Sequence, residues 1–474
     1  MSAILSIYSI KLSTMKKLLF SITLLSTICV NAQTWNSLSV GTNDAVGALC
    51  VFNGDLYVGG AFTTAGGMGV NGLAKWNGSS WAALPSTINN GVADLLAFDS
   101  VLYVGGTFTN AGGTPTNNIA QWNGSNWTTW GSGATTRFGS SWVSAMIIYK
   151  GKLIIGGEFD TVEGVAANSV AQWDGTSWKP LGQGIMLNAY NSFSYRGVLP
   201  GEVFSMAIYN GELYVAGTFD SVAGLSTEKI ASWDGANWHA VGTGIGSYAD
   251  QFSVNAMCTW NGNLYAGGAF DSAGGVAVQN LAEWNGISWS DFGNGANNDI
   301  NVLYPYNNDL YVGGYFTSVG STFANGIAQW DGSSWSELGT GMTVGLSPAV
   351  ANIYTYNSNL YAGGAFTDAS GNTVNNIAEW KGPLGIKDID SKYPVSIYPN
   401  PCDGKFNITI SNFSSSSKIE IYNILGELVL SETLPNSAND NIISLSNTPS
   451  GVYFYRVLSE ADGLVGEGKV VIQK

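Results

Sequence analysis

The stretch "LYVGGAFTTAGG", Leu56–Gly67, decides the fold, because close copies of it begin at Leu102, Leu153, Leu213, Leu264, Leu310 and Leu360. The seven starts lie 46, 51, 60, 51, 46 and 50 residues apart. Twenty residues after each Leu stands a tryptophan: Trp76, Trp122, Trp173, Trp233, Trp284, Trp330 and Trp380. In six copies a second follows five residues later, at Trp81, Trp127, Trp178, Trp238, Trp289 and Trp335. The twenty-residue interval never varies, so all differences in length fall between copies. Repetition at this period marks an architecture in which each unit buries its apolar face against its neighbours.

One repeat contains four strand candidates. In the third they are "VSAMIIY", "KLIIGGEF", "NSVAQW" and "SWKPLG", with "YKGK" joining the first two and "WDGTSW" the last two. Asn-Gly and Asp-Gly supply the positive φ values that tight hairpins need. Four short antiparallel strands per repeat describe one blade of a β-propeller. The seventh copy lacks its second Trp, because "WKGPLG" runs on without one. Trp35 and Leu38, before the first copy, match the W-x-x-L of an outer strand such as Trp178 to Leu181. The expectation is therefore an all-β chain: a seven-bladed β-propeller closed by its N-terminal strand, followed by a small C-terminal β-sandwich. The repeated Leu, Val, Phe and Trp read as packing residues, since burying large apolar side chains accounts for them without a ligand. Gly59 and Gly60 read as places where a neighbour comes too close for a side chain.

The two ends speak of destination. From Met15, "MKKLLFSITLLSTICVNAQ" has a basic start, an apolar run and the small residue Ala32, which reads as a secretory signal cleaved before Gln33, with Met15 as the start. No apolar stretch is long enough for a membrane span. From about Lys392 the repeats stop, and "KIEIYNILGELVL", "NIISL", "GVYFYRVLSE" and "GKVVIQK" alternate as short strands of an Ig-like sandwich. The domains are then 1–32 signal, 33–385 propeller, 386–392 linker and 393–474 C-terminal domain.

Tyr398-Pro399-Asn400-Pro401, Gly404 with Phe406, Tyr422-Asn423 before Gly426, Gly451-Val452-Tyr453 and the Lys469–Lys474 strand resemble the type A C-terminal sorting domain of the Bacteroidetes type IX secretion system. That resemblance implies passage through the periplasm to the outer surface, with the secretion machinery as partner. The repeats resemble kelch-like propellers, including the galactose-oxidase type, and cortical cell-polarity marker proteins of fungi. This second resemblance implies a fold and no activity, because propellers host unrelated functions.

Chemistry is sparse. Lys plus Arg total 18 against 33 Asp plus Glu, a formal charge of −15 that disfavours nucleic acid. Residues 33–392 hold 10 basic and 25 acidic residues, too few arginines for a sialidase triad. Copper of the galactose-oxidase type needs histidine ligands, whereas the one histidine, His239 beside Trp238, reads as an exposed strand residue rather than a metal ligand, and no G-x-S-x-G, H-E-x-x-H or P-loop occurs. Cys29, Cys50, Cys258 and Cys402 show no disulfide framework, and Cys50 and Cys258 fall in different repeats. Asp160, Asp220 and Asp271 alternate with Thr63, Thr109, Thr317 and Thr367 at one loop position, read as caps whose side chains accept a backbone N–H. Length variation is greatest in "GIMLNAYNSFSYRGVLPGE", Gly184–Glu202, where Tyr190, Phe193, Tyr195 and Arg196 are the candidate ligand-binding residues. Rings that stack on apolar faces, with a few polar partners, suit glycans or peptides. The expectation is a monomeric, non-catalytic binding or adhesion module without cofactor or metal, with a glycan or an extracellular protein as ligand. A polysaccharide-acting enzyme and a purely structural surface protein are the alternatives.

Overall fold

A computed structural model describes residues 34–137, 139–188, 198–246, 253–343, 349–381, 395–400, 402–410, 417–423, 428–434, 441–446, 448–459 and 463–473. The expected signal segment and linker lie outside them. The chain divides into two compact units, Met1–Gly382 and Pro383–Lys474.

In the first unit the seven repeats form seven four-stranded antiparallel sheets. The third pairs Trp142–Tyr149, Lys152–Glu158, Val170–Trp173 and Trp178–Pro180 in chain order. The seventh takes its outer strand from the other end of the chain: Thr34–Ser37 pairs with Ile377–Lys381, Trp35 opposite Trp380. First strands pack sheet to sheet in a closed cycle, for Val46–Phe52 lies against Val92–Phe98 and also against Ala349–Tyr356 of the seventh sheet. The core is divided accordingly. Ala48, Phe52 and Tyr57 cluster with Val92, Leu95 and Phe108 of the second sheet, while Val46, Leu49 and Trp76 cluster with Tyr356, Tyr361 and Ile377 of the seventh.

The paired glycines have separate tasks. A Cβ on Gly59 would come within 2.5 Å of Val92 Cγ1 in the next sheet; Gly105 faces Val143, and Gly363 faces Val46, in the same way. A Cβ on Gly60 would strike the Ala45 carbonyl of its own sheet, beside the bulge between Val46 and Ala48. One glycine thus admits the neighbouring sheet and the other admits the bulge. The fourth repeat departs, with Ala216 at the first position.

The outer tryptophans latch each sheet to the one before. Trp81 Nε1–H donates to Leu38 O at 2.8 Å, Trp238 to Leu181 O at 2.9 Å, and Trp335 to Gly293 O at 3.0 Å. Trp35, fully buried, does the same to Leu338 O at 3.0 Å. Trp178 Nε1 has no such bond. In the sheet before it Trp130 stands where the others have Leu, Val241 or Phe292, and the two rings lie 5.2 Å apart.

Strand content exceeds the four per repeat read from sequence. "TTAGG" and its copies fold as small hairpins, Thr64–Ala65 against Met68–Gly69 in the first. The incoming connection bridges each hairpin, as in Thr42 to Ala65, Ile88 to Ala111 and Ala296 to Val319. The opposite face carries the tight turns. Asn53 and Gly54 both have positive φ, 49° and 82°, as a two-residue hairpin demands. In the outer turns the Asp or Asn is instead an acceptor: Asp331 Oδ1 receives Ser333 N–H and Ser334 N–H, each at 2.8 Å, and these bonds hold its carboxyl down to about 2. Lys150 of one inner turn donates to Asp234 O of the next outer turn at 2.7 Å.

The second unit has a three-stranded sheet, Val395–Tyr398, Lys405–Ile410 and Asn441–Ser444, and a four-stranded one in the order Leu428–Leu434, Ser417–Tyr422, Gly451–Ser459 and Gly463–Ile472. Phe406, Ile408, Ile419, Ile421, Val457 and Val470 share its core. Asn400 acts like a piece of strand: its Nδ2–H donates to Lys469 O at 2.9 Å and its Oδ1 accepts Val471 N–H at 2.8 Å, pinning the final strand. Cys50, Cys258 and Cys402 are buried free thiols, and burial pushes the Cys50 thiol up to about 11. No helix among the described residues is long and apolar enough to cross a membrane.

Two predictions follow from the sheet contacts. Trp35→Ala empties a fully buried site at the chain closure and should lower unfolding free energy by roughly 3–5 kcal/mol in urea titration; an unchanged midpoint would separate closure from stability. The other concerns Asp94, which sits between the second and third sheets. Its Oδ2 accepts Met146 N–H at 2.6 Å, as Ser205 Oγ accepts Met257 N–H at 2.8 Å. Burial pushes the Asp94 carboxyl up to about 7, against the opposing effect of the Leu95 and Met146 N–H bonds. The folded pKa lies above the unfolded value of about 3.9, so the folded chain holds this proton more tightly. The resulting penalty is absent below about pH 4 and grows until about pH 7. Asp94→Ser keeps an acceptor and loses the charge. Its Tm should gain on the parent's between pH 5 and pH 8, whereas a constant difference would place the charge outside the fold's pH response.

Candidate functional site

The connections and small hairpins lie on one face, and two patterns account for six of the seven repeats; in the seventh, Thr367 N–H instead donates to Thr343 O at 3.4 Å. In the first, second and sixth repeats a short connection supplies an asparagine. Asn43 Nδ2–H donates to Thr63 Oγ1 at 2.9 Å, and Asn43 Oδ1 accepts Thr63 N–H at 2.9 Å and Thr64 N–H at 2.8 Å. Asn89 clasps Thr109, and Asn297 clasps Thr317, alike. This corrects the capping role expected of these threonines: the hydroxyl accepts a side-chain amide, and the asparagine is the cap. In the third to fifth repeats the connections are long, and Asp160, Asp220 and Asp271 replace the threonine.

Asp160 carries the capping role in full. Its Oδ2 accepts Arg137 N–H at 3.1 Å and lies 3.3 Å from Arg137 Nε. Around this pair Thr135, Thr136, Thr161, Ala166 and Asn168 line an open cleft of about 400 Å³. Thr135 and Thr161 share a hydroxyl–hydroxyl bond of 2.8 Å, and Asn168 Nδ2–H fixes the next connection through Gln183 O at 3.0 Å. In the fourth repeat Asp220 pairs with the buried Lys229 at 2.7 Å. Glu158, at the head of the third sheet, has its carboxyl raised by burial and by the charge of Glu202, which accepts the Thr218 hydroxyl at 2.9 Å.

Tyr190, Phe193, Tyr195 and Arg196 lie outside the described residues. What carries them is described: Ile185–Asn188 and Val198–Pro200 pair as the stem of a hairpin, which joins the small hairpin of the fourth repeat as Ile185 opposite Val222 and Met186 opposite Ser221. The paired strands therefore belong to the connection face, and Ile185 N–H donates to Asn168 O, beside the cleft, at 2.9 Å. Sequence reading missed the Arg137–Asp160 cleft. The signals were the arginine in "ATTRFGSSW" and the change from Thr to Asp at residue 160. His239 is an exposed strand residue bonded to Asp234 at 3.0 Å. Among the described residues no group of three His, Cys, Asp or Glu is placed to hold a metal ion.

No curated protein matches the chain. Similar solved structures include PorZ, an essential bacterial surface component of the type-IX secretion system of Porphyromonas gingivalis, at 15% identity and TM-score 0.43, covering 92% of this chain and 60% of that one. The chain thus spans about three fifths of its length. Others are the computationally designed Ika8 protein, at 13% and 0.39 with 93% and 100% covered, and a mutant of AofleA from Arthrobotrys oligospora, at 12% and 0.33 with 68% and 90% covered. Residues 396–473 match the family model of the secretion system C-terminal sorting domain, so the chain ends in that domain and is a secreted or cell-surface protein of Bacteroidetes type.

Proposed function

We propose that residues 33–385 form a kelch-like, seven-bladed β-propeller and that residues 393–474 form an Ig-like sandwich that directs it through the periplasm and the type IX route to the outer surface. There the propeller recognises an extracellular ligand, a glycan in the first place, without turning it over. The cyclic packing of seven four-stranded sheets and the Thr34–Ser37 strand in the seventh support the fold. The functional reading rests on one observation above the rest. The turn face repeats with little change, while the connection face is regular over the Asn–Thr repeats and irregular over the third to fifth. A rigid scaffold that varies on one sector of one face is built to present loops. Tyr190, Phe193, Tyr195 and Arg196, between Asn188 and Val198 in the sequence, remain the proposed ligand-binding residues.

Two measurements test this. A glycan array probed with the secreted chain should give saturable binding that Tyr195→Ala weakens, and a polysaccharide hydrolysis screen should give no turnover. Turnover abolished by a carboxylate change such as Glu202→Gln would replace recognition with catalysis. Intact mass of the protein recovered from the native host should show loss of residues 1–32 and of a fragment from about Lys392 onward. A surface form that retains "VVIQK" would overturn removal of the sorting domain.

A further inference from the structure

We infer that the cleft of Thr135, Thr136, Arg137, Asp160, Thr161 and Asn168 is a single binding subsite for a neutral glycan, gripping adjacent hydroxyls of one pyranose ring. The inference rests on the glycan reading above and goes further in naming a place, a number and a charge class.

The place comes from how the side chains are held. The Arg137 side chain is 75% exposed, whereas that of Asp160 is 10% exposed. The carboxylate is therefore a floor that orients the guanidinium through Nε and fixes its backbone through the Arg137 N–H. A guanidinium so held presents N–H donors in a fixed plane, spaced to meet two neighbouring oxygens. Thr135 and Thr161 add to this. Two hydroxyls that share one bond use one proton between them, so the second proton can be given to a ligand oxygen. The volume of about 400 Å³ lies within the range of small-ligand sites.

The charge class follows from what already faces the guanidinium. Its positive charge is matched by Asp160, at 3.3 Å from Nε. A ligand carboxylate or sulfate would enter against this acid and against a propeller with 23 acidic residues to 8 basic ones. Hydroxyl groups meet the same donors without that opposition. The number follows from the other repeats. Asp220 is engaged by Lys229, which is buried, and Arg137 is the one arginine among the described residues of the first unit.

The test uses the secreted chain in calorimetric titration against neutral cello-, xylo- and manno-hexaose, with hexagalacturonate as the anionic probe. One neutral hexasaccharide should bind one to one and hexagalacturonate weakly. Arg137→Ala should weaken binding roughly tenfold or more. Ala166→Trp, at an exposed lining position that bears none of the site's hydrogen bonds, should do likewise by filling the cleft, with an unchanged Tm. Stronger binding of hexagalacturonate, several equivalents per chain, or full affinity in both variants overturns the subsite and leaves the array result standing. Failure of the chain to bind any glycan on the array overturns the wider reading as well.

Discussion

The absence of one carbon atom governs the first unit. At Gly59, Gly105 and Gly363 the β-branched side chain of the following sheet occupies the space where a Cβ would be. At these glycines adjacent sheets can approach this closely because nothing projects from the second strand; the fourth repeat alone carries a Cβ there, on Ala216. Dense contact between sheets is what lets strands of three to eight residues hold together, since a short isolated sheet buries too little to be stable. The last of these contacts, Gly363 with Val46, joins residues more than 300 positions apart, so the same local device that spaces neighbours also closes the cycle.

That device was legible in sequence, because a steric demand repeated seven times leaves seven copies of Gly-Gly or Ala-Gly in register. The missing seventh Trp and the stray Trp35 were legible for the same reason: a cyclic fold needs every outer strand once. The small hairpins were not. Pairs such as Thr64–Ala65 and Met68–Gly69 are two residues long, and no alternation can show over two residues. The Asn–Thr clasp was missed although Asn43–Thr63, Asn89–Thr109 and Asn297–Thr317 share one twenty-residue spacing, because an asparagine in a polar turn does not show which loop it meets. Asn400 is a similar case. Its role in pinning Lys469 and Val471 depends on a contact across about seventy residues that the motif around it does not reveal.

The aromatic loop drew attention because rings and an insertion are visible in a linear chain. The Arg137–Asp160 pair did not, because its meaning lies in exposure: a carboxylate at 10% below a guanidinium at 75%. A surface ion pair adds little to stability. Here most of the burial falls on the acid and most of the exposure on the base, an arrangement suited to presenting the base to something else.

Repetition and function pull in opposite directions in this chain. Where the connection face keeps the asparagine clasp, Oδ1 of Asn43 receives two backbone N–H groups while its Nδ2–H goes to the Thr63 hydroxyl, so most of its hydrogen-bonding capacity turns inward. Replacing threonine by aspartate removes the partner of that clasp and leaves a charge that must be matched. In the third repeat the longer connection matches it with Arg137, and in the fourth the turn before Ile230–Trp233 matches it with Lys229. The first solution turns a donor outward and the second turns one inward. A single change in the repeated pattern thus gives a site in one repeat and a structural ion pair in the next, the difference being the side of the carboxylate from which its counter-charge arrives.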